Sequence, residues 1–255
     1  MLFGVCAGPQ QIPQIKAAGY DFVELPLYPL SCMSDEEFAK VRCLVEENDL
    51  PSRTVNLFFG GDAPILREDS TKIVRDYIEA ALARAAALGC KIAVIGSGTA
   101  RRRPDDMPVE VFFDRFATTV RTAIEAADTF GITIVIEPIC RKETNTINTI
   151  SDAIAFTDSI GDERLKLHAD TYHMFANGES LDTLAQTKGR LAHLHIARAN
   201  VDRGVPCEED VAFLGKLGDT LAACNYDGYV SIEATYKDFE NEIQFVRPLL
   251  QRLAR

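Results

Sequence analysis

The stretch ITIVIEP, residues 132–138, sets the pattern by which the rest of the chain can be interpreted. It is apolar and rich in β-branched side chains, which is typical of a buried strand. It then ends on a carboxylate, Glu137, directly before Pro138. An unpaired charge is costly to bury, so this strand end predicts a partner for the carboxylate elsewhere in the chain.

Seven other short apolar runs are predicted to be strands, and stretches with a helical pattern lie between them. These runs span residues 2–6, 21–25, 53–58, 91–96, 165–170, 191–197 and 229–234. The clearest helix is predicted to begin after Ser70, as its N-terminal cap, and to stop at Gly89. Another helix ends at Gly131, and a last one spans 238–254.

Strand–helix alternation of this kind predicts a parallel sheet with helices on its outer face. Eight such units in about 250 residues are the size of a TIM barrel. We therefore expect a single-domain (β/α)8 barrel over residues 1–255. An open doubly wound sheet is the alternative, but no GxGxxG motif follows the first strand.

Composition limits the classes of function. The formal net charge is -11 at pH 7, and an acidic chain repels nucleic acid and anionic lipid. No apolar run approaches the roughly 18 residues of a membrane span, and the N-terminus lacks the basic region of a signal peptide. The 7 cysteines are scattered and form no CxxC motif. They predict reduced thiols and a cytoplasmic protein.

Four consecutive predicted strands, from residue 132 onward, each have an apolar face and a polar face. Successive side chains on a strand point to opposite faces. In a barrel the apolar face packs against the helices, so the polar face points inward. The last inward residues of these strands are Glu137, Asp170, His195 and Glu233.

These four side chains meet at the C-terminal end of the barrel, where TIM-barrel enzymes build their sites. Alone, each residue is more typical of a salt bridge or of a satisfied core histidine. Three carboxylates and one imidazole at one point require a cation, so together they predict a divalent metal site. Three oxygen ligands and one nitrogen ligand favour Mn²⁺ as the cofactor, with Mg²⁺ or Co²⁺ as alternatives.

The motifs around these residues resemble the xylose isomerase-like TIM-barrel superfamily over nearly the whole chain. They are most similar to its sugar isomerase/epimerase branch, which includes D-tagatose 3-epimerase and D-psicose 3-epimerase. The motifs are IEPICRKETNT, LHADTYHM, HLHIARAN and YDGYVSIEA. The resemblance implies that Glu137, Asp170, His195 and Glu233 bind the metal. It also implies that Glu143 and His173 contact the sugar.

The resemblance further implies a metal-dependent isomerase. Such an enzyme moves a proton next to the carbonyl of a ketose or aldose through a cis-enediolate, with Glu137 and Glu233 as acid and base. We expect 3-epimerisation of a ketose. A hydroxypyruvate isomerase or inosose-type enzyme is the alternative, and an endonuclease-like phosphodiesterase or a non-catalytic sugar-binding barrel is more distant. The expected partners are a small carbohydrate and further copies of the chain, in a homodimer or homotetramer.

The chain departs from the epimerase pattern at two positions. Cys140 stands where that branch has an asparagine, and Val201 stands where it has an arginine. Arg203 is predicted to bind the substrate in place of that arginine, and Arg198 is the alternative.

Other polar residues have less specific interpretations. Glu24 is expected to form a salt bridge at the barrel rim rather than to contact substrate. Asn56 is expected to point inward. His168 and His193 are interpreted as interior packing or as groups that orient the metal ligands. The three arginines at 101–103 are expected to form a solvated loop or a subunit contact rather than a phosphate site.

Overall fold

The chain closes into a barrel of eight parallel strands. The computed structural model describes residues 1–198 and 202–253. The strands are β1 (Leu2–Cys6), β2 (Phe22–Pro26), β3 (Thr54–Asn56), β4 (Ile92–Ile95), β5 (Thr133–Ile136), β6 (Lys166–Asp170), β7 (Leu191–Ile196) and β8 (Tyr229–Ile232). Each strand pairs with the next, and β8 pairs with β1. The predicted (β/α)8 barrel is therefore confirmed.

Helices surround the barrel on its outer side. They are α1 (Ile12–Ala17), α2 (Leu27–Cys32), α3 (Asp35–Glu47), α4 (Thr71–Ala87), α5 (Val109–Asp128), α6 (Ile150–Ile160), α7 (Thr171–Ala176), α8 (Val211–Ala223) and α9 (Phe239–Leu249). Within the described ranges, no helix is long and apolar enough to cross a membrane. The predicted last helix ends early, at Leu249, and its predicted final residue, 254, lies outside the described residues.

The predicted start of α4 is right in position but wrong in mechanism. Ser70 is the residue before the helix, but its side chain accepts no capping hydrogen bond. Its Oγ instead donates to the carbonyl oxygens of Pro64 and Arg67, at 2.6 and 2.8 Å. Ser70 therefore fixes the preceding turn rather than the helix terminus.

The outward faces of the strands form the core, as the alternation predicts. Val5 on β1, Leu25 on β2 and Ile232 on β8 belong to one large buried apolar cluster. Val55 on β3 and Ile136 on β5 belong to a second cluster on the other side of the barrel. Packing of helices against these faces leaves the inward face free for polar residues.

Two strands depart from the predicted pattern. β3 ends at Asn56 instead of residue 58, because Leu57 has a φ of 45° and turns the backbone out of the sheet. On β7, pairing with β6 passes from Leu191 to His193 and skips Ala192. The extra residue forms a bulge, and Ala192 packs against the interior instead of the outer face.

Candidate active site

The four predicted metal ligands converge at the C-terminal end of the barrel. Asp170 is the last residue of β6 and His195 lies within β7, whereas Glu137 and Glu233 follow β5 and β8 by one residue. Glu137, Asp170 and His195 are buried, and the Glu233 side chain is 23% exposed. One potential ligand atom from each residue lies within 4.8 Å of the others. The predicted convergence is therefore present in the structure.

His195 directs one ring nitrogen into this cluster. Its Nδ1 lies 3.0 Å from Glu233 Oε2 and 3.8 Å from Glu137 Oε1. Nδ1 nevertheless has no hydrogen-bond partner among the described residues, because the angles do not suit one. Nδ1 therefore faces the point at which the four side chains converge.

Of the three carboxylates in the cluster, Glu137 has the least support from hydrogen bonds among the described residues. In the described part of the chain its Oε1 is buried without a hydrogen-bond partner. Burial, and next the negative charge of Glu233, raise the pKa of Glu137 to about 8. A buried carboxylate oxygen of this kind stays unpaired unless a cation or a proton binds to it.

Glu233 has the opposite environment. Its Oε1 accepts a hydrogen bond from Asn56 Nδ2 at 3.1 Å, which confirms that Asn56 points inward. Its Oε2 is paired with the guanidinium of Arg203. Burial alone would raise the pKa of Glu233, but the nearby positive charges of His195 and Arg203 outweigh burial and hold that pKa at about 2.

The donor set fits a divalent cation. It combines three carboxylates and one imidazole, and two of its inward atoms, Glu137 Oε1 and His195 Nδ1, are buried without partners within the described residues. Asp170 is held in place, because its Oδ1 accepts a hydrogen bond from the backbone N–H of Tyr172 at 2.7 Å. Oxygen-rich sites of this composition suit Mn²⁺, Mg²⁺ or Co²⁺ better than a thiolate-type zinc site.

His173, from α7, and Glu143, from the loop after β5, lie beside the cluster. His173 Nε2 is 3.8 Å from Asp170 Oδ2 and 3.9 Å from Glu137 Oε1. Its Nδ1 accepts a hydrogen bond from the backbone N–H of Cys140 at 3.3 Å. Glu143 is exposed, with its Oε1 3.7 Å from the Cys140 thiol. His173 therefore adjoins the cluster, and Glu143 lies beside His173 and Cys140.

Arg203 and Arg198, the two candidates for the substrate-binding arginine, lie in different surroundings. Arg203 Nη2 donates to Asp170 Oδ2 at 2.5 Å, and its guanidinium lies 5.0 Å from the centre of the Tyr172 ring. Arg198 instead pairs with Glu209 and Asp210, at 2.8 and 3.0 Å. Arg203 is the arginine that faces the cluster, whereas Val201 lies outside the described residues.

Glu24 forms the expected kind of ion pair, with His193 and His195, but its expected position was wrong. Glu24 is not at the rim; it is completely buried inside the barrel. Its Oε1 lies 2.9 Å from His195 Nε2, and its Oε2 lies 2.7 Å from His193 Nε2. Burial would raise the pKa of Glu24, but the imidazoles of His195 and His193 outweigh it and hold that pKa well below its usual range. Glu24 is therefore an ionised carboxylate directly beneath the candidate metal site.

The prediction of a solvated arginine loop is wrong for Arg101. Its side chain is fully buried, and Nη2 donates to the backbone carbonyl of Glu137 at 2.7 Å. Burial lowers the pKa of Arg101 to about 10. Arg101 thus supports the backbone that carries Glu137, whereas Arg102 is exposed as expected.

Gly96, directly after β4, makes room for Glu137. A Cβ at this position would lie 2.0 Å from Glu137 Oε2. Any larger residue would displace the carboxylate. The sequence signal for this contact is the glycine at the strand end.

A barrel with this cluster at its C-terminal end defines a class of protein. The family model described as "Xylose isomerase-like TIM barrel" matches residues 12–250, and the chain belongs to that family. The resemblance inferred from the four motifs is therefore confirmed.

Characterised members of the family give more detail. The chain is 27% identical over 238 residues to D-psicose 3-epimerase of Agrobacterium fabrum, covering 89% of this chain and 78% of that protein. It is 26% identical over 226 residues to 3-dehydro-D-guloside 4-epimerase of Escherichia coli, covering 86% and 84%. Epimerases among its relatives support an isomerase or epimerase activity for this chain.

Solved structures show the same fold. A crystal structure of D-psicose 3-epimerase in the presence of D-fructose superposes with a TM-score of 0.80 at 22% identity, covering 97% of this chain and 90% of that one. At this identity the similarity concerns the barrel fold alone.

Proposed function

We propose that the protein is a divalent metal-dependent sugar epimerase that inverts C3 of a ketose. The observation that carries this proposal is the convergence of Glu137, Asp170, His195 and Glu233, with ligand atoms within 4.8 Å of one another. The names of the relatives, D-psicose 3-epimerase and ketose 3-epimerase, favour a ketose as substrate.

Glu137, Asp170, His195 and Glu233 would hold the metal, with Mn²⁺ as the favoured ion. A divalent cation there supplies a Lewis acid that stabilises negative charge as it develops on neighbouring sugar oxygens. The cavity is otherwise rich in acidic groups, which alone would oppose an anionic intermediate.

Glu137 and Glu233 are the proposed acid and base. They extend from β5 and β8, three strands apart around the barrel, so they approach a bound sugar from different sides. One carboxylate removes the proton next to the carbonyl, which leaves a cis-enediolate, and the other returns a proton to the opposite face of the same carbon. Return from the opposite side inverts that carbon and gives the epimer.

His173 and Glu143 are proposed to orient the sugar. Because the backbone N–H of Cys140 points at His173 Nδ1, the proton of the neutral ring is on Nε2, which faces the cluster. Burial lowers the pKa of His173, which favours that neutral form. Nε2–H is then a donor to a sugar oxygen, and exposed Glu143 is an acceptor for a hydroxyl.

Arg203 completes the proposed substrate site. Its guanidinium pairs with Asp170 and Glu233 and carries a positive charge at the mouth of the barrel. From this position it can donate hydrogen bonds to sugar oxygens that lie above the carboxylates.

Deuterium exchange tests the proposal. Metal-stripped protein is incubated in D₂O with a panel of ketoses and aldoses, with and without Mn²⁺, and label is followed by NMR. We expect Mn²⁺-dependent label at C3 of a ketose. Label that accompanies aldose–ketose interconversion would establish an isomerase instead. No label in any sugar, with metal demonstrably bound, would overturn the proposal.

A further inference from the structure

Glu24 is a buried charge in the barrel that the proposed chemistry does not use. It lies in the middle of β2, and its inward side chain is 0% exposed. A carboxylate in that position is stable only if donors surround it. The role of Glu24 can therefore be inferred from the donors that it binds.

Among the described residues, four side chains place a hydrogen-bonding atom against this one carboxylate. Besides His193 and His195 of β7, Thr54 Oγ1 of β3 donates to Oε2 at 2.6 Å, and Ser231 Oγ of β8 donates to it at 2.5 Å. The donors come from three strands around the barrel, so the carboxylate cannot rotate without losing several of them. Oε1 is left facing His195 Nε2 at 2.9 Å.

This geometry fixes which nitrogen of His195 is free to bind a cation. An ionised carboxylate only accepts hydrogen bonds, so the ring nitrogen that faces it, Nε2, must carry a proton. The lone pair is then on Nδ1, the atom that faces Glu137 and Glu233. We infer that Glu24 is a positioning residue that sets the tautomer and ring orientation of His195 and thereby the affinity of the site for a divalent metal. This inference rests on the proposed metal site.

The substitution Glu24→Gln tests the inference with little change in shape. An amide carries no negative charge, so His195 loses the ionised acceptor that holds the proton on its Nε2, whichever way the amide is oriented. We expect the dissociation constant for Mn²⁺, measured by electron paramagnetic resonance, to rise by about 10- to 100-fold, the range for loss of a carboxylate behind a ligating histidine.

Thr54→Val is the matched control. It removes one hydrogen bond to the same carboxylate and nearly preserves side-chain volume, but it leaves the contact between Glu24 and His195 in place. We expect a change in the Mn²⁺ dissociation constant of less than about threefold. Circular dichroism of each variant verifies that the barrel is folded.

A second measurement needs no variant. In the wild-type protein loaded with diamagnetic Mg²⁺, nitrogen-15 NMR is expected to show His195 protonated at Nε2. Protonation at Nδ1 would overturn the inference, as would a folded Glu24→Gln variant that binds Mn²⁺ as tightly as the wild type. Absence of Mn²⁺ binding by the wild type would instead contradict the proposed metal site, so the two failures are distinguishable.

Discussion

Glu137 and Glu233 are the same residue type one position beyond a strand, but their surroundings separate them. Burial and the charge of Glu233 raise the pKa of Glu137 to about 8. The charges of His195 and Arg203 outweigh burial and hold the pKa of Glu233 at about 2. In the metal-free protein at neutral pH, Glu137 therefore holds a proton whereas Glu233 is ionised.

The first prediction concerns Glu137→Gln. The variant keeps the size of the side chain but cannot accept a proton, and it loses a carboxylate ligand. We expect turnover to fall by about 10³-fold or more. Thermal stability should change little, because the carboxylate of Glu137 is poorly compensated in its buried position.

The measurement is a deuterium-exchange assay together with a thermal melt. Glu143→Gln serves as the control, because Glu143 is an exposed glutamate beside the same opening. It should raise KM more than it lowers kcat. Wild-type activity in Glu137→Gln would remove Glu137 from the mechanism.

The second prediction is that metal binding releases protons. At pH 7 the metal-free protein holds a proton on Glu137, whose pKa is raised to about 8. His195 is also protonated: burial lowers its pKa, but Glu24 and other acidic neighbours outweigh burial and raise it well above its usual range. Metal ligands must be deprotonated. The apparent affinity for Mn²⁺ should therefore rise with pH up to and through about 8.

Calorimetry in two buffers of different ionisation enthalpy gives the number of protons released. We expect more than one proton at pH 7 and fewer at higher pH. An affinity that is constant across this range, with no net proton release, would show that the two groups are already deprotonated in the metal-free protein.

At the scale of the elements, the ends of the strands determine the site. β5 stops at Ile136 and β8 at Ile232, so Glu137 and Glu233 begin the following loops. β4 stops at Ile95, and Gly96 follows it against the Glu137 carboxylate. The placement of Glu137 therefore depends on a neighbouring strand end as well as on its own.

The third prediction compares two glycines of the same loop. Neither Gly96 nor Gly98 has a positive φ, so Gly→Ala adds only a Cβ. At Gly96 this Cβ would lie 2.0 Å from Glu137 Oε2, whereas at Gly98 its nearest neighbour would be Ile139 Cδ1 at 3.5 Å. Gly96→Ala should displace Glu137 and weaken Mn²⁺ binding by about tenfold or more. Gly98→Ala should change it by less than about twofold.

Calorimetric titration with Mn²⁺ distinguishes the two variants, and far-ultraviolet circular dichroism verifies that both are folded. Equal loss of affinity in both would mean that the loop tolerates no Cβ at all. Equal retention would mean that Glu137 can move aside without cost.

The elements were predictable because their signals are local. β-branched apolar runs and helical periodicity predicted eight strands and the intervening helices, and alternation within strands predicted that Glu137, Asp170, His195 and Glu233 converge. The strand ends were less predictable. β3 was expected to continue to residue 58, but Leu57 turns out of the sheet with a φ of 45°. The pattern of apolar and polar side chains contains no information about the backbone φ of a single residue.

The errors at Glu24 and Arg101 have a different origin. Alternation places Glu24 on the inward face, but its height along the barrel depends on the stagger between strands, which no local pattern contains. Its contact with His195 joins residues 171 positions apart. Three successive arginines indicate a solvated loop. One of them, Arg101, is instead buried, and its guanidinium donates to the backbone carbonyl of Glu137.

At the scale of the whole molecule, the site joins the two halves of the barrel. The proposed ligands come from β5 to β8, whereas Glu24 comes from β2 and Asn56 from β3. Asn56 donates to Glu233 across 177 positions of sequence. The predicted association into a homodimer or homotetramer concerns the outer surface and stays a prediction.

The last prediction is that Mn²⁺ stabilises the entire barrel. The four proposed ligands come together only in the folded barrel, so a cation that binds them favours the folded protein over the unfolded chain. A ligand at about 100 times its dissociation constant stabilises the folded state by about 2.7 kcal/mol. For a chain of this size that corresponds to a rise in Tm of about 5–10 °C.

The measurement is a thermal melt of chelator-treated protein across a range of Mn²⁺ concentrations. Asp170→Asn is a suitable control, because Oδ1 of Asp170 accepts from the backbone N–H of Tyr172, whereas Oδ2 lies on the side of Arg203 and the proposed metal site. That variant should melt at nearly the same temperature with and without Mn²⁺. A wild-type Tm that does not respond to Mn²⁺, Mg²⁺ or Co²⁺ would contradict the metal site. A rise that persists in Asp170→Asn would place the bound ion elsewhere on this acidic protein.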